Sequence, residues 1–349
     1  MRPNRERMAT TVGAMQLTTE PLTLHLRHTF TIARSSEDIA NTLLVRLRCD
    51  GVEALGESSP IMRYDETTER VARELEQLDL SRANPWAFDE VLGLLPRDEP
   101  AARCGLDLAL HDLAGKRLGI PVYQLLGVDP AAAKQTSFTI GIASLEHTMA
   151  KTHEARHLPI LKIKLGNGHE VETLEAVRSV YTGTIRLDAN EGWTAEQAAD
   201  MLKELRRFDI EFCEQPIAAG SPEQLRYVRE RSPIPIMVDE DCRRLEDIAP
   251  LYGCVDGINI KLVKCGGMRE GIRMIHAARA LGMKVMIGCM IESSVLCTAA
   301  AHLTPLTDYA DVDGPLLITD DPFSGVSYEN GRLRLPAGPG LGVTPRPAP

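Results

Sequence analysis

Aromatic residues are scarce in this sequence, 4% of 349 positions, and basic residues do not outnumber acidic ones. There are 39 Lys+Arg against 49 Asp+Glu, a formal charge of −10. Nucleic-acid surfaces need cationic groups along the phosphates and, for single strands, aromatic faces for the bases, so neither requirement is met. No apolar run approaches the ~20 residues that cross a bilayer. No nucleic-acid or membrane partner is therefore expected. The opening MRPNRERMATT is charged but leads into no apolar stretch, and does not read as a secretory signal. The eight cysteines, at 49, 104, 213, 242, 254, 265, 289 and 297, form no CxxC pair. Several lie in apolar runs such as VMIGCM, so reduced core thiols in a cytoplasmic protein are expected. With 44% hydrophobic and 25% charged residues, the chain has an ordinary globular composition.

A regular alternation occupies the middle of the chain. Short apolar runs, from SFTIGI (137–142) and ILKIKL (160–165) to KVMIGC (284–289), are separated by amphipathic segments such as TAEQAADMLKELRRF. That is the pattern of βαβ units on a parallel sheet. Polar residues end successive runs at Lys164, Asp188, Glu214, Asp239 and Lys261, spaced by 24, 26, 25 and 22 residues. Each spacing accommodates a strand, a helix and two loops, which points to an α/β barrel over 136–319 more than to an open sheet. Residues 1–135 read as an α+β module. NTLLVRLRCDG and VEALGESSP suggest a hairpin turning at Asp50-Gly51, and three helical patterns follow. A second hairpin signal lies at Asn330-Gly331, within a stretch (about 320–349) expected to complete the N-terminal module.

In such a barrel, chemistry collects at the carboxyl ends of the strands. Here those ends carry Asp188, Glu214 and Asp239 on consecutive strands. Three converging carboxylates repel one another unless a hard cation lies among them, and an all-oxygen set suits Mg²⁺ or Mn²⁺ and not zinc. Any one of them alone would more readily be a helix cap or an arginine partner. Three in register favour the metal, with Asn190 and Glu240 as neighbouring supports. Lys162 and Lys164 are two apart and share a strand face, and Lys261 ends a run four strands further on, hence across the mouth. Two lysines on opposite sides of a cation suit removal of a proton from one face of a carbon and its return to the other. Burial and nearby cations are expected to lower their pKa values toward working pH. Lys264 competes with Lys261, but lies beyond the strand end and reads as a loop or helix-start residue.

LKIKLG, LDANEGW, EQP, VDED and NIKLVKCGG, in this order and spacing, resemble the enolase superfamily in its muconate-lactonizing subgroup. AARCGLDLALHDLAGK resembles that family's cap-domain helix, so the likeness covers nearly the whole chain. The resemblance implies a (β/α)7β barrel, a modified TIM barrel, under an N-terminal α+β capping domain. It also implies one Mg²⁺ per subunit and a homo-oligomer. By position it makes Lys164 and Lys261 the acid/base pair and Asp188, Glu214 and Asp239 the metal ligands. Lys162 becomes a contact of the substrate carboxylate. YADVDGPLL is similar to the Asp-x-Asp motif of dipeptide epimerases, which casts Asp311 and Asp313, on one face of the last strand, as receptor for an α-ammonium. Thr139, Cys289, Met290 and Ile291 fall at positions that line the dipeptide in those enzymes. Arg34, in FTIARSS, stands where L-Ala-D/L-Glu epimerases place an arginine for the glutamate carboxylate, and a mobile loop over 28–35 would select the second residue. Two departures bear on that selection: Asp241 stands where many relatives have Ser, and LRHTF lacks a Pro before its Phe.

The implied activity is Mg²⁺-dependent epimerisation of an L-Ala-containing dipeptide, L-Ala-D/L-Glu first, as in salvage of cell-wall peptide. The same strand ends also serve cycloisomerases, N-acylamino-acid racemases and o-succinylbenzoate-synthase-like lyases, whose substrates offer no ammonium to Asp311 and Asp313. Two readings of other classes stand against these. One is a barrel used only for binding. The other is a zinc protease, from the HExxH match at His153-Glu154-Ala155-Arg156-His157. Pro159 closes that segment at once and no third ligand is near, which places it at the outer end of a connecting helix.

Overall fold

A computed structural model describes residues 13–347. MRPNRERMATT, and with it the reading of a leader, lies outside the described residues. The N-terminal part is a three-stranded antiparallel sheet of β1 (Gln16–Ile32), β2 (Ser35–Cys49) and β3 (Val52–Ser58). The β2–β3 turn falls at Asp50-Gly51 as expected, with φ of 49° and 78°. Positive φ at both turn residues matches the twist of the flanking strands, and an Asp-Gly pair is suited to it.

The β1–β2 hairpin is a difference from the sequence reading. Residues 28–32 and 35–40 are strand, with Phe30–Ile32 paired to Ser35–Glu37, and only Ala33 and Arg34 form the tip. The run TLHLRHTFTIA alternates poorly because much of β1 is solvent-exposed, so its apolar pattern did not declare a strand. The pairing shifts register between His25 and Phe30, which re-aims the outer part of the hairpin.

Helix Pro100–Leu118 has small or apolar residues on almost every face because it is buried from all sides. Gly56 and Gly105 allow its contact with β3: a Cβ on Gly56 would lie 2.0 Å from the Gly105 carbonyl oxygen.

The second part is a barrel of eight parallel strands in sequential order. These are β4 (Phe138–Ile140), β5 (Ile160–Lys164), β6 (Thr184–Asp188), β7 (Ile210–Glu214), β8 (Ile236–Val238), β9 (Gly257–Lys261), β10 (Lys284–Gly288) and β11 (Tyr309–Asp311). A parallel bridge between Thr136 and Ala310 brings the first and last strands together. The architecture is thus the (β/α)7β barrel with an N-terminal capping sheet. The barrel interior is layered. At one level Phe212, Met237 and Met286 pack together, with the Arg186 guanidinium 5.1 Å from the ring centres of Phe212 and Tyr309. Above them, toward the strand ends, the inward side chains are ionisable.

The two parts are tied by buried polar contacts. Glu57 of β3 accepts from Ser293 N–H (3.0 Å), Ser293 Oγ (2.6 Å) and Leu296 N–H (3.1 Å), at the start of helix Ser294–Leu303. It thereby satisfies helix donors that have no partner within the helix. The chain end returns to the cap as well, where Asp112 accepts from Leu341 N–H at 2.8 Å. The C-terminal hairpin turns at Asn330-Gly331. All eight cysteines are free and buried. No helix among the described residues is long and apolar enough to cross a membrane.

Candidate active site

The barrel mouth opens into a cavity of about 730 Å³, walled on the other side by the cap. Of the acid/base, metal-ligating, supporting and substrate-contacting residues expected from the sequence, all but Asp188 and Glu214 line it, and those two are wholly buried. Phe30 and Ile32, within the 28–35 segment expected to select the second residue, supply apolar lining, and Met62 and Tyr64 add lining that sequence reasoning did not foresee.

Alternation along β5 sends Lys162 and Lys164 inward together, as expected. Lys164 Nζ donates to Asp188 Oδ2 (2.7 Å) and Asn190 Oδ1 (3.0 Å). Lys162 Nζ lies 2.7 Å from Asp311 Oδ2, 2.8 Å from Glu214 Oε2 and 3.0 Å from Asp188 Oδ2. Across the barrel, Lys261 Nζ is 3.0 Å from Asp239 Oδ2 and 3.6 Å from Met290 Sδ. Burial pulls the Lys261 pKa down, but the Asp239 carboxylate outweighs it and holds the group above the usual lysine value. The expected lowering of that lysine is therefore absent while it pairs with Asp239. Asp188 and Asp239 are fully buried, yet their lysine partners hold both well below the carboxylate range.

Glu214 differs. Burial, the first cause, pushes it up to about 7 despite Lys162, with Asp188 and Asp239 adding repulsion. Its Oε1 accepts from Asn259 Nδ2 at 2.7 Å, while Oε2 faces only the Lys162 charge and accepts no hydrogen bond. A buried, raised carboxylate whose Oε2 shares one lysine with Asp188 and Asp311 is short of positive charge. The all-oxygen set of Asp188, Glu214 and Asp239 therefore fits a hard divalent ion.

Main-chain strain at the strand exits aims these groups. Asn190, Glu191 and Gln215 have φ of 43°, 68° and 38°, left-handed values that non-glycine residues adopt at a cost of order 1–3 kcal/mol. Asn190 N–H donates back to Asp188 Oδ1 (2.9 Å). Gln215 Oε1 accepts from the N–H groups of Asp239 (3.0 Å) and Asp241 (3.3 Å). Asp241 accepts from Gln215 Nε2 at 2.7 Å and Gly220 N–H at 2.8 Å, so it braces the loop under Asp239.

Asp311 and Asp313 converge near the cavity, though not on one strand. β11 ends at Asp311, and Asp313 begins the short helix Gly314–Leu317, its backbone having left the extended region. Asp311 is fully engaged by Ser137 Oγ (2.5 Å) and Lys162. Asp313 accepts from Thr139 N–H at 2.7 Å through Oδ2, while Oδ1 lies 3.8 Å from Cys289 Sγ. Burial, then Asp311, raises Asp313 to about 6.

Arg34, at the hairpin tip, does reach the mouth. Its Nη2 pairs with Glu240 Oε1 (2.6 Å) and its Nη1 with Glu191 Oε2 (3.1 Å) and the Asn190 carbonyl (3.1 Å). Arg63 grips Glu191 as well, at 2.6 Å.

Sequence reasoning undervalued Lys264. It lies in the turn of helix Leu262–Cys265, is buried, and donates to both Asp239 Oδ1 and the Asp239 carbonyl. Asn259 was missed too, although the period-2 signal that found Lys162 and Lys164 also sets it beside Lys261 on β9. The HExxH segment is on the outside, as expected. His153, Glu154 and His157 are exposed, helix Leu145–Ala155 ends before His157, and His157 Nδ1 pairs with the Glu154 carbonyl at 3.0 Å.

Both halves of the chain match known family models. Residues 15–127 match the mandelate racemase / muconate lactonizing enzyme N-terminal domain, and residues 144–348 match the enolase C-terminal domain-like family. The chain is 41% identical to an L-Ala-D/L-Glu epimerase of Bacteroides thetaiotaomicron, over 95% of this chain and 88% of that protein. It is 36% identical to a hydrophobic dipeptide epimerase of Roseobacter litoralis, over 90% and 95%. In structure it matches the dipeptide epimerase of Enterococcus faecalis solved with Mg and L-Leu-L-Tyr, with a TM-score of 0.89, 31% identity and coverage of 95% and 99%. The chain belongs to the enolase superfamily, in its mandelate racemase / muconate lactonizing enzyme family. Within it, the protein is an isomerase of the racemase and epimerase class.

Proposed function

We propose that the protein is a Mg²⁺-dependent epimerase of dipeptides with an N-terminal L-Ala, inverting the α-carbon of the second residue, with L-Ala-D/L-Glu as lead substrate. The observation that carries this reading is the placement of Lys164 and Lys261, four strands apart, each against a buried carboxylate and both lining one cavity. Names of relatives support the substrate class, and the neighbour solved with Mg and a dipeptide supports the ion.

Asp188, Glu214 and Asp239 would hold the Mg²⁺, which when bound stabilises the negative charge that builds on the substrate carboxylate. One lysine, as the neutral amine, takes the α-proton, and the C–H electron pair moves into the carboxylate to give an enediolate. The other lysine, as the ammonium, gives a proton to the opposite face, so one proton leaves, one arrives and the configuration inverts. Lys162 stays protonated, since three carboxylates surround it and hold its pKa well above the ordinary value. Asp313, whose Oδ1 has no cation partner among the described residues, is the receptor for the substrate ammonium, and Asp311 orients Lys162. Asn190 and Glu240 position Lys164 and Arg34.

A second reading concerns the side chain of the inverted residue. Arg34 is already held by Glu191 and Glu240, and Phe30, Ile32 and Met62 line the same wall, which favours an apolar second residue. Proton NMR in D₂O with Mg²⁺, comparing L-Ala-L-Glu with L-Ala-L-Leu, tests both. Loss of the second residue's α-proton with growth of the D-epimer supports epimerisation, and the faster substrate assigns the side chain. If neither exchanges, the cycloisomerase, racemase or lyase activities of the superfamily replace the epimerase.

A further inference from the structure

At the wall of the cavity lies a second cluster of metal-ligating groups, in which Glu292 and Cys297 have no part in the proposed reaction. Cys289, just past β10, and Cys297 and Glu292, at the start of the following helix, bring their donor atoms within 4.8 Å of one another. Cys297 Sγ is 3.6 Å from Glu292 Oε1, and Cys289 Sγ is 3.8 Å from Asp313 Oδ1. Around a tetrahedral zinc, with bonds of about 2.3 Å to sulfur and 2.0–2.2 Å to oxygen, neighbouring donors lie roughly 3.4–3.8 Å apart. The Cys297–Glu292 and Cys289–Asp313 separations already lie at or near that range, and the remaining donors, within 4.8 Å, would draw together on binding.

Among the described residues no cation is in contact with these groups, and Lys261 and Lys162 act on Glu292 and Asp313 only from further off. Among the described residues, Glu292 is fully buried and accepts only from Met290 N–H (3.3 Å) and the Cys297 thiol, with no ion-pair partner. Asp313 has no cation partner either. The buried Tyr328 hydroxyl makes no hydrogen bond among the described residues, and burial holds its pKa well above the ordinary value. Buried polar groups left in this state are costly unless something joins them. Cys289 also lines the substrate cavity, which gives an ion a way in.

We propose that Cys289, Glu292 and Cys297 form a second cation site of thiolate and carboxylate character that takes a zinc-like ion and rejects Mg²⁺, with Asp313, outside that group but against Cys289, moving in as the fourth ligand. Two sulfurs and two oxygens suit a borderline-soft ion, in contrast to the all-oxygen set of Asp188, Glu214 and Asp239. On binding, each thiol loses its proton to solvent as its sulfur–metal bond forms, and Glu292 binds as the carboxylate. No oxidant or reductant is needed. Occupancy would take Asp313 Oδ1 from the substrate ammonium, so the ion would compete with dipeptide. That consequence rests on the function proposed above, whereas the site itself does not.

The test is titration of the full chain with Cd²⁺ in saturating Mg²⁺, following the ultraviolet thiolate-to-cadmium charge-transfer band. One equivalent should raise the band, and Zn²⁺ should displace it. Cys297→Ser and Cys289→Ser should each abolish stoichiometric binding, while Cys254→Ser, remote from the site, should not. Should either site variant fail to fold, Glu292→Gln, which keeps both thiols and the side-chain volume, should weaken binding by at least tenfold. A band absent at one equivalent, or unchanged in Cys297→Ser and Glu292→Gln, overturns the site. Cd²⁺ binding without any dipeptide exchange would leave the site standing and remove only the competition.

Discussion

Lys264 joins Asp239 twice, through the Oδ1 carboxylate oxygen and through the main-chain carbonyl, and so leaves Oδ2 directed at Lys261. Lys264 thus positions Asp239, and in the proposed reaction it is not a rival of Lys261 for the proton. Removing one partner of a buried ion pair costs about 3–5 kcal/mol, because the other charge stays buried. Lys264→Met should therefore lower the melting temperature and weaken Mg²⁺ binding measured by calorimetry. Unchanged Mg²⁺ affinity in a folded Lys264→Met variant would contradict the positioning role.

Asp313 titrates at about 6, raised by burial and by Asp311, so it becomes neutral as pH falls through that value. A neutral carboxyl cannot pair with an ammonium. KM for an L-Ala dipeptide should accordingly rise below about pH 6 while kcat changes less. Asp313→Asn should show a high KM that no longer responds over the same range. Steady-state kinetics from pH 5 to 8 separate the two.

Arg34 distinguishes the two side-chain readings. If it receives an acidic side chain, Arg34→Gln lowers kcat/KM for L-Ala-L-Glu at least tenfold, about 1.4 kcal/mol, and leaves L-Ala-L-Leu nearly unchanged. If its contacts with Glu191 and Glu240 only tie the hairpin tip to the barrel, both substrates lose rate together.

His302 is buried, stacks on Tyr123 and is lowered to about 4 by desolvation, with Nε2 3.1 Å from the Leu341 carbonyl. It is neutral in the folded protein, whereas an unfolded histidine binds a proton near 6.5. The unfolded state thus holds more protons between those values, and stability falls as pH drops from about 6.5 to 4. The contribution is about 3 kcal/mol at most. Denaturant unfolding at pH 7 and 4.5 should show His302→Gln with a smaller pH dependence than the parent.

What the sequence made legible follows from periodicity. The barrel strands, Lys162 with Lys164, and the end-of-strand carboxylates all obey the two-residue alternation and the 22–26-residue repeat. Where that regularity lapses, so does the reading. β1 is largely exposed and lost its apolar stripe, so the hairpin carrying Arg34 read as a loop. Asp313 was assigned to β11 from its spacing, but the strand ends at Asp311 and a Gly-Pro helix start follows. Lys264 lies in a one-turn helix too short for a pattern, and only the folded chain shows which carboxylate it meets. The pKa of Lys261 was expected to fall from burial and nearby cations. The structure supplies the missing partner, Asp239 at 3.0 Å.

Inversion by two lysines on opposite faces is tested most directly by α-proton exchange in D₂O, with Mg²⁺, of the separate L,L and L,D dipeptides. The parent should exchange both and interconvert them. Lys164→Ala and Lys261→Ala should each abolish interconversion, and any exchange that survives should be confined to one epimer, a different one in each variant. Interconversion surviving in either variant, or exchange of both epimers by the same one, would contradict the assignment.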